Sequence, residues 1–182
     1  MRVVTGIAKG KKLIALEGDD VRPTTDRVKE AIFDIIQFEV EGRRVLDLFA
    51  GSGQLGIEAL SRGAASCIFV DKNSHAVKTI RENLSHTKLE SNARVVSMDS
   101  LDFLNGREVF DLIFLDPPYS QKILDTALPK AAAKVVESGM LICECDKQDE
   151  LPAKAGTFGL AKTYLYGRTK IVIYRYEGSE PQ

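Results

Sequence analysis

The spacing of apolar residues along the chain switches repeatedly between a strand-like and a helical period. At the N-terminus, "MRVVTGIAKGKKLIAL" carries apolar residues on both sides of a Gly-Lys turn, which predicts two short strands. "TTDRVKEAIFDIIQF" puts Val28, Ala31, Ile32, Ile35 and Ile36 on one helix face, with Thr24 or Thr25 as the cap. From residue 43 the two periods alternate regularly. "RRVLDLFAGSG" is a strand entering a glycine turn, and "QLGIEALSRG" a helix stopped by Gly63. "SCIFVDK" is the next strand, and "NSHAVKTIRENLSH" a helix with an Asn or Ser cap. "ARVVSMD" and "FDLIFLDPPY" follow as strands. "KILDTALPKAAAKVVESG" reads as helix, interrupted or kinked by Pro129. "GMLICECD", "FGLAKTYLYG" and "TKIVIYRYE" complete the strands, the last two joined by a hairpin turn at Gly167-Arg168.

Strands alternating with helices imply an α/β fold, a mostly parallel sheet with helices on both faces. The closing hairpin adds an antiparallel element on one edge. Ligands of such sheets bind beyond the carboxyl ends of the strands, near the switch point. The expected division is a hairpin extension over residues 1–20, a main domain over 21–176 and a disordered tail over 177–182.

Composition narrows the classes. No apolar run reaches the roughly 18 residues that cross a bilayer, and the first residues lack the apolar stretch of a signal peptide. Cys67, Cys143 and Cys145 show neither an even disulfide framework nor a C-x-x-C spacing, so packed thiols in a reducing compartment are expected, and no metal site. His75 and His86 read as surface residues. The net charge is −1, which excludes a uniformly basic nucleic-acid binder. Two stretches free of acids stand out nonetheless. One holds Arg2, Lys9, Lys11 and Lys12, the other Lys162, Arg168, Lys170 and Arg175. Brought together they would form a phosphate-binding face; kept apart they are ordinary solvated surface.

The chemistry-bearing residues cluster at strand ends. Gly51-x-Gly53-x-x-Gly56 lies between a strand and a helix, where glycines allow a sharp turn and close ligand approach. Twenty residues past Gly51, Asp71 ends the next strand, placed to accept from both hydroxyls of a ribose. This pattern fits a dinucleotide site or an S-adenosylmethionine (AdoMet) site. Asp47, just before the glycines, separates them: it would repel a pyrophosphate and attract the cationic amino-acid end of AdoMet. A purely structural role, bonding loop N–H groups, is the other reading of Asp47. Asp99 suits an adenine amine, with the Ser100 N–H for a ring nitrogen, or a helix cap, or both.

"DLIFLDPPYS" ends a buried strand in an unusual corner. Pro117 and Pro118 have no N–H, and Asp116 is held extended by the proline after it. The corner therefore offers a carboxylate and carbonyls but almost no donors, with the Tyr119 ring at its rim. A planar group with two N–H donors, such as the exocyclic amine of a nucleobase, fits it. So does a plain strand-ending turn.

Together, Asp47 through Gly56, Asp71, Asp99 and Asp116-Pro117-Pro118-Tyr119 resemble the class I AdoMet-dependent methyltransferases that act on amines. "RPTTDRVKEAIFDII", "DLFAGSGQLGIEALSRGA" and "YGRTKIVIYR" are similar to the RsmD family, guanine-N2 methyltransferases of bacterial small-subunit ribosomal RNA, and the likeness extends over residues 1–176. It implies a Rossmann-like, seven-stranded sheet with the last strand pair reversed. It also implies AdoMet as cofactor and small-subunit RNA in an assembled or partly assembled 30S particle as substrate, in the cytoplasm. Thr24, Thr25, Ser52 and Lys72 then join the acids and glycines around AdoMet. Asp116, Pro117, Pro118 and Tyr119 hold the reacting amine. Arg22 and Arg27 lie over cofactor and target base, with Arg2, Lys9, Lys11, Lys12 and Arg168 toward RNA.

Three rivals use parts of the same pattern. A nicotinamide-dependent oxidoreductase leaves Asp47 and the Pro-Pro corner unexplained. A non-catalytic RNA-binding module leaves the full set of site residues unexplained. An adenine-N6 methyltransferase of DNA would want a further target-recognition domain. The corner has no cysteine, which argues against C5-pyrimidine transfer through a thiolate.

Overall fold

The computed structural model describes residues 1–16, 26–118 and 122–178. Helix α1 (Asp26–Ile35) precedes three strand–helix units: β1 (Arg44–Asp47) with α2 (Gln54–Ser61), β2 (Ser66–Asp71) with α3 (Ser74–Thr87), and β3 (Ala93–Ser97) with the single turn α4 (Ser100–Phe103). β4 (Phe110–Leu115), α5 (Ile123–Ala132) and β5 (Val135–Asp146) follow, then β6 (Lys154–Ala155), β7 (Phe158–Tyr166) and β8 (Thr169–Tyr176). The strand order is β3-β2-β1-β4-β5-β8-β7-β6. β1 to β5 pair in parallel, and β8 runs antiparallel between β5 and β7. The order turns back between β1 and β4, which puts the switch point at the ends of these two strands.

The strand period of two divides each apolar run between two cores. Val45, Leu112, Phe114 and Ile142 face α1, α2 and α3, together with Ile32, Phe33, Ile57 and Ile80. Leu46, Ile113, Leu115, Leu141 and Cys143 face α5, with Leu124 and Leu128. All three cysteines are buried free thiols, and Cys143 and Cys145 share this second face. Caps fall at expected positions: the Asn73 side chain accepts from the His75 and Ala76 N–H groups, and Gly63 follows the end of α2 with φ of 95°. Among the described residues no helix is long and apolar enough to cross a membrane.

The structure departs from expectation in five places. The sheet has eight strands rather than seven, because the two-residue β6 pairs with β7. The helix predicted through residue 139 stops at Ala132, and Val135 and Val136 already belong to β5. β-Branched residues suit a strand better than a helix end, and the register shift between Phe110 and Leu112 absorbs the early start. Pro129 lies inside α5 without ending it. The N-terminal segment turns back on itself through one isolated bridge, Arg2 to Lys12, rather than two paired strands. Its Val3, Ala8 and Leu13 are buried in the core of α1, α2 and α3. Finally, Glu177, expected in the disordered tail, donates its N–H to the Thr157 carbonyl at 3.0 Å and pairs with Lys154 at 2.6 Å.

Candidate active site at the carboxyl edge

The loop between β1 and α2 is held from below and from the side by two carboxylates. Asp47, last in β1, is 2% exposed, and its Oδ2 accepts the Gly56 N–H at 2.9 Å. Burial pushes its carboxyl up to about 7; the Gly56 bond works against this and the nearby Asp71 charge with it. Asp71, at the end of β2, accepts from the Gly51 N–H at 2.9 Å and the Asn73 N–H at 2.8 Å. The structural reading of Asp47 is therefore realised, and each carboxylate keeps lone pairs for a further donor.

Two glycines explain why the loop needs that residue type. Gly53 caps α2 with φ of 79°, in the left-handed region that favours glycine. Gly56 packs α2 against β2 so closely that a Cβ there would lie 2.3 Å from Phe69 Cε1 and 2.7 Å from Cys67 Sγ. Neighbouring residues close the edge. Asp99 caps α4 through the Leu101 N–H at 2.9 Å, and the Ser100 hydroxyl donates to the Leu48 carbonyl at 2.7 Å. Lys72 is exposed and pairs with Asp99 at 3.6 Å. Asp47, Gly51, Ser52, Gly53, Gly56, Asp71, Asp99 and Ser100 thus converge on one edge.

The Pro-Pro corner lies on the same edge, across the switch point. The Leu48 N–H donates to the Phe114 carbonyl at 3.2 Å, tying the glycine loop to β4, which Asp116 follows directly. Asp116 is half-buried, Pro117 buried and Pro118 exposed. Both prolines line a cleft of about 380 Å³ together with Lys122 and residues from the end of β5 and the loop after it, among them Glu144 and Asp149. Tyr119, Arg22, Thr24 and Thr25 fall outside the described residues.

The basic stretches find separate partners. Lys11 donates to the carbonyls of His86 and Thr87 at the end of α3, while Arg2, Lys9, Lys12 and Arg27 are exposed. Arg168 pairs with Asp146 at 3.7 Å, Lys170 donates to the Asp149 carbonyl, and Arg175 pairs with Glu39 at 2.6 Å. Acids distant in sequence thus meet the C-terminal cations.

Sequence reasoning missed the buried polar groups that hold this edge. Glu58 in α2, fully buried, accepts from the Val4 and Thr5 N–H groups at 2.8 and 2.9 Å and from Arg62 at 2.9 Å. Lys29, also fully buried, lies 3.7 Å from Glu58 and donates to the Arg2 carbonyl. Burial pulls the Lys29 ammonium below its ordinary range, with Glu58 and Asp26 pulling it back up. Asn83 in α3 accepts from the Ile14 N–H and donates to the carbonyls of Ile14 and of Ser52, at 2.8, 3.0 and 2.9 Å. It joins the N-terminal arm to the glycine loop. The signal in the sequence was an acid inside α2, whose other residues after Gln54 are apolar or small.

A family model described as Conserved hypothetical protein 95 matches residues 1–175. The chain belongs to this family, the RsmD family. A Bacillus subtilis (strain 168) member, provisionally named rRNA methyltransferase YlbH, is 43% identical over 184 residues, covering 98% of this chain and all of that one. The Escherichia coli (strain K12) ribosomal RNA small subunit methyltransferase D is 29% identical over 180 residues, covering 97% and 90%. Among solved structures, a Thermus thermophilus 16S rRNA N2 methyltransferase, RsmC, in complex with AdoMet and guanosine has a TM-score of 0.73. It is 23% identical and covers 89% of this chain and 45% of that one, a likeness of fold. The Rossmann-like fold of this RsmD-family chain is thus shared with methyltransferases.

Proposed function

We propose that this protein transfers a methyl group from AdoMet to the exocyclic N2 amine of a guanine in small-subunit ribosomal RNA. The cytoplasm and an assembled or partly assembled 30S particle are the setting. The observation that carries the reading is the shared edge: a carboxylate-braced glycine loop and a donor-poor Asp-Pro-Pro corner on either side of the switch point. AdoMet fits the loop on the donor set. Asp71 suits its ribose hydroxyls, the buried Asp47 suits its cationic end, and Asp99 and Ser100 suit its adenine. A pyrophosphate would meet the Asp47 charge instead. Membership in a family whose named relatives are rRNA methyltransferases supports the same reading.

When bound, AdoMet supplies an electrophilic methyl on a sulfonium. The protein's part is positioning and electrostatics. An aryl amine is a poor nucleophile because its lone pair is delocalised into the ring. Asp116 and the Pro117 carbonyl accept hydrogen bonds from its two N–H groups and draw the nitrogen toward a tetrahedral shape. The freed lone pair would form the N–C bond as the methyl's bond to sulfur breaks and its electron pair returns to sulfur as a neutral thioether, and the surplus proton would pass to Asp116 or solvent. Tyr119 stacks on the base once it has left its own stack, an extrusion that costs a few kcal/mol.

Asp116→Ala is expected to retain AdoMet binding by calorimetry while methyl transfer to small-subunit particles falls by orders of magnitude. Unchanged turnover would remove Asp116 from the reaction. Nucleoside mass spectrometry of the RNA product identifies the methylated position, and product on an adenine N6 would favour the rival base.

A further inference from the structure

We propose that Lys162, Tyr164 and Tyr166, alternating along β7, form a stacking strip for the single-stranded RNA that flanks the target base. The inference rests on the methyltransferase reading above. β7 pairs with β8 so that Lys162 stands opposite Ile173, Tyr164 opposite Ile171 and Tyr166 opposite Thr169. Ile171 and Ile173 face the core of α1, α2 and α3, so strand alternation puts all three β7 side chains on that face. Both tyrosines pack against this core but are only half-buried, and Lys162 is exposed. β6 covers only Phe158 and Gly159, so from Leu160 to Tyr166 β7 has no further strand beside it among the described residues.

The position suits a substrate strand that leaves the carboxyl edge. Thr169 pairs with Tyr166 on one side and with Asp146, the last residue of β5, on the other, so Tyr166 is level with the edge where the strands end. In the sheet order β7 follows β4, β5 and β8, three strand spacings or about 14 Å from the strand that Asp116 follows. The two tyrosines are about 7 Å apart along β7. That leaves room for one base between their rings, since neighbouring bases are about 3.4 Å apart along a strand. Charge agrees with an anionic guest: residues 158–176 hold Lys162, Arg168, Lys170 and Arg175 and no acid. Three of these meet an acid or a carbonyl, whereas Lys162 has no such partner among the described residues. An edge that only had to close the sheet would be served by any β-branched residue. Aromatic rings beside an uncommitted cation hold unpaired nucleotides, because every base has a face to stack and every linkage a charge.

The test uses the full-length enzyme, tritiated AdoMet and unmethylated small-subunit particles at several salt concentrations. Tyr164→Val and Tyr166→Val keep strand propensity and apolar cover but remove the ring. Each should raise KM for particles about fivefold or more, the lower end of base stacking on one aromatic, with kcat and AdoMet affinity unchanged. A double variant, Tyr164→Phe with Tyr166→Phe, keeps both rings and should match the wild type. Lys162→Ala should make the slope of log KM against log salt shallower by about 0.7, the counterion release of one single-strand phosphate. Wild-type KM in either folded Val variant overturns the inference, and so does a Phe double variant as weak as the Val variants. Should the Val variants not fold, an unchanged salt slope in Lys162→Ala overturns it. A fluorescein-labelled single-stranded RNA fragment around the methylated guanine gives the protein-free comparison. The Val variants should bind it more weakly by a similar factor; binding equal to wild type would assign the strip to a ribosomal protein and overturn the RNA assignment. In all these cases guanine-N2 transfer itself stands. A wild type that adds no methyl to guanine N2 instead overturns the underlying reading, and this inference with it.

Discussion

Replacing Asp47 by Asn removes a charge without removing the acceptor that holds the Gly56 N–H. The carboxyl of Asp47 is pushed up to about 7 in the folded protein against an ordinary value of 3.8. A raised carboxyl binds its proton more tightly when folded, so its contribution to stability is lost as pH rises from the unfolded to the folded value. A difference of about 3 units corresponds to about 4 kcal/mol, fully expressed above pH 7. At pH 5 roughly a third of that has been incurred. The Asn variant has no such dependence, so its stability relative to wild type should improve by about 2–3 kcal/mol between pH 5 and pH 8. At about 2–4 °C per kcal/mol, its relative melting temperature should rise by roughly 5–10 °C. Any fixed cost of packing the new NH₂ cancels in this comparison. AdoMet affinity should move the opposite way. The ionised fraction of Asp47 rises from about 0.1 at pH 6 to about 0.9 at pH 8, so the variant-to-wild-type Kd ratio should grow about tenfold over that interval. Differential scanning fluorimetry without ligand and calorimetry with AdoMet read the two effects. A melting difference that does not change with pH would refute the burial argument, and a constant Kd ratio would refute the cationic-ligand argument.

Three further outcomes follow from the packing. Gly56→Ala drives a methyl to within 2.3 Å of Phe69 and should cost about 1–3 kcal/mol in denaturant titration; an unchanged midpoint would mean that α2 and β2 separate freely. Glu58→Ala leaves the buried Lys29 with the more distant Asp26 at 3.8 Å and should cost about 3–5 kcal/mol, with faster hydrogen exchange at Val4 and Thr5. Loss confined to α2 would contradict its role in docking the arm. Asn83→Ala strips partners from Ile14 and Ser52 and should weaken AdoMet binding several-fold beyond its loss of stability; equal affinity in the folded variant would detach the arm from the loop.

What could be read from the chain depended on how local the determining force was. β1, β2 and β4 were legible because each is a short apolar run bounded by polar residues, and α3 because Asn73 caps an amphipathic stretch. The glycines and acids that meet at the carboxyl edge were legible because loop chemistry fixes their spacing. Val135 and Val136 were misread because "AAAK" before them suits a helix, while the force that makes them strand comes from Phe110, 25 residues earlier. β6 is too short to leave a periodic trace. The partners of Arg168, Lys170 and Arg175 were invisible because Asp146, Asp149 and Glu39 reach them only through the fold.

Glu58 and Asn83 give the N-terminal arm a function beyond covering apolar surface. An arm held by burial alone could slide, since hydrophobic contact is non-directional. Glu58 fixes it at Val4 and Thr5, Ser61 at Thr5 and Ala8, and Asn83 at Ile14, all by bonds to backbone groups whose spacing cannot slip. Glu58 and Ser61 belong to the helix that the glycine loop opens, and Asn83 also bonds that loop at Ser52. The arm is therefore registered at Ile14 against the glycine loop. Pinning the arm to the helix and the loop explains why the buried charge of Glu58 is tolerated in α2.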